Sequence, residues 1–79
     1  MQVLFVGGPK HGKTSLVADD LSLMQFEDPS MGNASELYHR HRLPSSVGAV
    51  GIDVLFISSW LSLEEYEVKI REAFTIAAV

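Results

Sequence analysis

The chain has 79 residues, a formal net charge of −4 and no cysteine. That length gives one domain, residues 1–79, with a small core, and the missing cysteines exclude disulfides and thiolate metal clusters. Apolar residues make up 47%, which fits a folded chain, and the acidic balance argues against a general nucleic-acid binder.

In chain order, Met1 to Val6 reads as a strand, ended by Gly7-Gly8-Pro9 because glycine permits positive φ and proline cannot extend a ladder. The next residues complete a Walker A spelling: Gly7, four residues, then Gly12, Lys13 and Thr14. In a P-loop, backbone N–H groups wrap the phosphates, Lys13 reaches the terminal ones and Thr14 holds magnesium. The alternative reading of the chain is therefore a minimal P-loop protein binding Mg-ATP or Mg-GTP through Gly7, Gly12, Lys13 and Thr14.

Three features oppose it. A P-loop opens a helix, yet "TSLVADDLSLMQFEDP" carries Asp19, Asp20 and Ser22 inside the would-be helical face. The same stretch reads as two short strands, Thr14–Ala18 and Leu21–Phe26, around an Asp-Asp turn. The only apolar strand that could bear a Walker B carboxylate, "GIDVLFISSW", has Asp53 at its start and Ser58-Ser59-Trp60 at its end. A βαβ unit takes about 30 residues or more, so the usual doubly covered core does not fit. The hairpin reading makes Gly7 to Gly12 a six-residue loop with Gly12 at positive φ before a return strand paired with residues 1–6.

Further on, Ser30 to Ser35 is a polar loop. "YHRHRLP" alternates, with Tyr38, Arg40 and Arg42 on one side and His39, His41 and Leu43 on the other. The first set is a cationic stripe with an aromatic end, a candidate partner-binding site. The second brings two imidazoles together but shows no third ligand beyond His11 or a distant acid, so no metal site is assigned. Residues 44–51 form a connection, and Ile52 to Trp60 is a central strand, apolar on both faces.

The last element is a helix. Ser62 and Glu65 fit a capping box, Leu61 and Tyr66 a hydrophobic staple, and Leu63, Tyr66, Ile70, Phe74 and Ala77 an apolar face. Glu65 precedes Lys69, and Glu67 precedes Arg71, by four residues, the favourable order for helix ion pairs.

"VLFVGGPKHGKTSLVADDL", the "YHRHRL" strand and "DVLFISSWLSLEEYEVKIREAF" together resemble small tailed-phage proteins of unassigned function, many from actinobacterial phages. The shared features are a strand–GGPxxG–strand start, a Tyr-x-Arg strand, and an apolar strand followed by a helix. Here they fall on Gly7, Gly8, Pro9, Gly12, Val17, Tyr38, Arg40 and the segment from Val54 to Phe74. His11, Lys13 and Thr14 depart from the usual pattern, in which Asp often precedes the second glycine.

The expected fold is α+β: a mostly antiparallel sheet of four or five strands with one C-terminal helix. The expected function is that of a phage-encoded accessory protein, a host-directed modulator or minor virion component. It would act by binding a protein partner or a second copy, without catalysis, cofactor, nucleic acid or membrane, in the host cytoplasm or the virion. An open strand edge at Met1–Val6 or Tyr38–Leu43, with Arg40 and Arg42 beside it, is the expected contact.

Overall fold

The computed structural model describes residues 1–27, 35–43 and 51–77. Most of the expected connection at 44–51 and of the polar loop at 30–35, namely residues 44–50 and 30–34, lies outside them. The described residues form five strands: β1 Gln2–Val6, β2 Thr14–Leu16, β3 Leu23–Glu27, β4 Ser35–His41 and β5 Val54–Ser58. A short 3₁₀ turn at Leu63–Glu65 leads into the C-terminal helix, α1 Tyr66–Ala77. The architecture is α+β, with one five-stranded sheet and a C-terminal helix.

The strand order is β2-β1-β5-β4-β3. Two antiparallel hairpin-like pairs, β1–β2 and β3–β4, flank β5, which runs antiparallel to β4 but parallel to β1. The sheet is therefore mixed. Its one parallel pair aligns Val3 with Val54 and Val6 with Ile57, so β1 and β5 end side by side. That end carries the glycine turn. At the opposite end Asp53 accepts the Gln2 N–H at 2.7 Å through Oδ2 and donates its own N–H to the Gln2 carbonyl at 2.8 Å.

Alternation decides which side chains meet. Leu4, Val6, Leu55 and Ile57 point to the face covered by α1, where Ile70 and Ala73 close the core. Val3, Phe5, Phe56 and Tyr38 point to the other face, against Met1, Val17, Leu21 and Met24. Both faces of β1 and β5 are thus buried, which explains their unbroken apolar spelling.

The structure corrects several expectations. Residues 14–26 do not all pair with β1: only Thr14–Leu16 does, and Leu23–Glu27 pairs with β4. The Ala18–Ser22 stretch separates the two: the Met1 ammonium donates to the Val17 carbonyl and Asp19 Oδ1, both at 2.8 Å, and Arg40 Nη1 donates to the Asp19 carbonyl at 2.8 Å. The edge strands are β2 and β3, not Met1–Val6 or Tyr38–Leu43, because β5 inserts between β1 and β4. In the helix, Glu67–Arg71 pairs as expected at 2.8 Å, but Lys69 bonds Glu72 at 3.2 Å. Glu65 is already engaged by Ser62, whose Oγ donates to its carboxylate at 2.8 Å. Leu63 and Ala77 stay exposed, and Ala73 takes a buried position on the helix face.

Candidate functional site: the glycine turn and its polar support

Residues 7–13 close the β1–β2 connection. Gly7, Gly8 and Gly12 all have positive φ, of 78°, 65° and 81°. Pro9 sits in a 3₁₀ turn spanning Gly8–Lys10, where its fixed φ suits the fold and its missing N–H costs nothing. The turn's amides are directed inward. Gly7 N–H donates to His11 Nδ1 at 2.7 Å, His11 N–H to the Gly8 carbonyl at 3.2 Å and Lys13 N–H to the Lys10 carbonyl at 2.9 Å. Gly12 N–H returns to the Phe5 carbonyl at 2.9 Å, and Lys10 N–H meets the Tyr38 hydroxyl at 3.0 Å.

Beneath the turn lies a buried polar cluster. Tyr38, 0% exposed, accepts from Lys10 N–H and donates its hydroxyl proton to the Gly7 carbonyl at 2.7 Å, so one phenol fastens both arms. Its ring meets Phe5 edge-on at 5.0 Å. Burial pushes the phenol up to about 12, and the nearby Glu36 carboxylate acts in the same direction. Glu36, 2% exposed, accepts from Ser58 Oγ, and Ser58 Oγ in turn accepts from Trp60 N–H at 3.2 Å. Register brings this about: Tyr38 lies opposite Ser58 across β4–β5, and Glu36 lies two residues back on the same face. Gly8 closes the cluster; a Cβ there would stand 2.6 Å from Glu36 Oε1 and 2.8 Å from the Tyr38 hydroxyl.

The other side of the turn leans on α1. His11 Nε2 is buried, has no hydrogen-bond partner among the described residues, and lies 3.6 Å from Glu72 Oε2. Burial holds this imidazole below the usual histidine range; Glu72 opposes that shift and Lys69 adds to it. Ile76 covers Gly12 so closely that a Cβ there would approach its Cγ2 to 2.5 Å.

This geometry differs from a phosphate cradle in two respects. The amides of Gly7, Lys10, His11, Gly12 and Lys13 already have partners inside the protein, and Thr14 starts β2 where a P-loop would start a helix. Lys13 and Thr14 are exposed on that strand, whereas Gly7 and Gly12 are buried in the turn. Ser58, at the end of β5 nearest the turn, is committed to Glu36.

The stripe expected at Tyr38, Arg40 and Arg42 is not one surface. Tyr38 belongs to the core and exposes no surface. Arg40 is exposed, but its guanidinium reaches the Asp19 and Leu21 carbonyls at 2.8 and 3.5 Å. Arg42 is exposed beyond the end of β4. His39 and His41 share the helix-side face, where His41 meets the Tyr66 ring edge-on at 5.4 Å. Burial, and then His39, hold His41 below the usual histidine range. No cluster of three metal-ligating side chains occurs among the described residues.

Sequence reasoning gave no site role to Glu36, Ser58, His11 or Trp60. The alternation of Glu36 with Tyr38 was visible, but its meaning depends on which strand lies beside β4. No family model, curated protein or solved structure matches the chain. No described helix is long and apolar enough to cross a membrane.

Proposed function

We propose that this chain is a small accessory protein that acts by binding a protein partner, as the phage resemblance suggests, without chemistry of its own. The observation that carries the reading is the exposure of Trp60, at 67%, and Leu63, at 81%, on either side of Leu61, whose side chain abuts Gly7 of the glycine turn. Large apolar side chains cost free energy in water, and tryptophan is the residue most enriched among binding hot spots. The platform beneath them is pre-organised. Trp60 N–H is tied to Ser58 Oγ, Ser58 to Glu36, and Leu61, between the two exposed residues, packs on the helix-side core. Ordering the contact residues in advance lowers the entropy cost of association. The expected contact thus moves from the arginine stripe to the shoulder formed by residues 59–63.

A host protein, a virion component or a second copy is the proposed partner class, and the acidic surface argues against nucleic acid. The test is a photo-crosslinking residue at position 60, with an exposed position such as Ala18 as control, combined with sedimentation at several concentrations. The expected result is one discrete adduct from position 60 and none from 18. Absence of any adduct from position 60, with a monomer at every concentration, refutes the reading.

A further inference from the structure

We propose that His11 is a proton-operated latch between the glycine turn and α1, and that it governs how the neighbouring shoulder is presented. The second clause rests on the binding reading above; the latch itself stands on the geometry of the turn.

Because Gly7 N–H donates to Nδ1 at 2.7 Å, that nitrogen carries a lone pair and the neutral ring holds its proton on Nε2. Nε2 is buried and faces Glu72 Oε2 across 3.6 Å, just beyond hydrogen-bond reach. Glu72 is held in place by Lys69 Nζ at 3.2 Å. A proton arriving at Nδ1 therefore has two effects at once. It turns the acceptor of the Gly7 bond into a donor that faces another donor, and it gives the ring a positive charge that the Glu72 carboxylate attracts. The ring is released from the turn and drawn toward the helix.

The charged and titratable groups around the imidazole are few. From α1 they are Glu72 and Lys69; the turn itself carries Lys10 and Lys13. From β4, Tyr38 holds the Gly7 carbonyl and Lys10 N–H, and Glu36 lies under Gly8. None of these replaces the acceptor that Gly7 N–H loses.

Release reaches the shoulder through Gly7. A Cβ on Gly7 would stand 3.3 Å from Ser58 Cβ and 3.5 Å from Leu61 Cδ1, so its backbone abuts the segment that carries Trp60. Its φ of 78° is held by the surrounding bonds, and His11 supplies one of them.

The experiment is nitrogen-15 NMR of the histidine rings with amide exchange at Gly7, from pH 8 to pH 5, on wild type, His11→Asn and Glu72→Gln. At pH 8 the wild-type ring is expected as the Nε2–H tautomer with Gly7 protected. On acidification, Gly7 protection, corrected for the intrinsic pH dependence of exchange, falls at least tenfold with the midpoint of the His11 titration. His11→Asn keeps an acceptor that does not titrate, so its Gly7 protection stays flat. Glu72→Gln removes the carboxylate that favours the charged ring, so the His11 midpoint drops while Gly7 stays protected at pH 8. An Nδ1–H tautomer at pH 8, or Gly7 protection that ignores the His11 titration, overturns the latch. Crosslinking yield at position 60 that changes with the same midpoint supports the regulatory clause; a constant yield overturns that clause alone.

Discussion

Replacing Gly8 with alanine tests whether the turn is locked from below. Two costs add. An L-residue in the left-handed region, here φ 65°, loses roughly 1–2 kcal/mol. The new Cβ would also stand 2.6 Å from Glu36 Oε1 and 2.8 Å from the Tyr38 hydroxyl, both in the buried cluster. Displacing either weakens a buried hydrogen bond, which costs about 1–3 kcal/mol. Together the loss is about 2–5 kcal/mol, against a total stability on the order of 4–12 kcal/mol for a domain of this size. Gly51→Ala is the matched control: its φ is 86°, but no atom of the described residues lies within 4 Å of the added Cβ, so the backbone cost of roughly 1–2 kcal/mol is what remains. In urea titrations read by Trp60 fluorescence, Gly8→Ala should lose more stability than Gly51→Ala. In thermal scans the gap should appear as roughly 5–20 °C in Tm. Equal losses in the two variants would refute the packing argument and leave Gly8 as an ordinary turn glycine.

Tyr38→Phe keeps the ring but strips partners from the Gly7 carbonyl and Lys10 N–H; a loss of about 1–3 kcal/mol is expected, with faster amide exchange at Lys10. At high pH the unfolded phenol ionises near 10 while the folded one holds its proton to about 12, so stability should fall as pH rises through that window. Urea midpoints at pH 9 and 11.5 check this, and Tyr38→Phe should flatten the slope. At low pH the sign reverses in origin. Half-buried His11 and His41 resist protonation while the unfolded chain takes up protons near pH 6.5, so stability should decline as pH falls below that value. A urea midpoint unchanged between pH 7.5 and pH 5 would contradict both shifts. Calorimetric titration with Mg-ATP or Mg-GTP should give no saturable heat at micromolar ligand, because the amides of Gly7, Lys10, His11, Gly12 and Lys13 are already bonded; binding abolished by Lys13→Ala would restore the nucleotide reading.

The sequence by itself determined the elements whose causes are local. The strand before Gly7, the positive φ at Gly12, the central place of β5 and the capped C-terminal helix all follow from spacing, turn chemistry and apolar runs. So did the departure from a P-loop, since Asp19, Asp20 and Ser22 leave no helix after Lys13. Only the tertiary structure decided strand order, because alternation says which face a side chain takes but not which strand lies next to it. Insertion of β5 between β1 and β4 made one pair parallel, moved the edges to β2 and β3 and set Ser58 opposite Tyr38. That neighbour turned Tyr38 from the end of a cationic stripe into the buried anchor of the glycine turn. It also brought Glu36 under Gly8, a contact between residues 28 positions apart that no short-range pattern encodes.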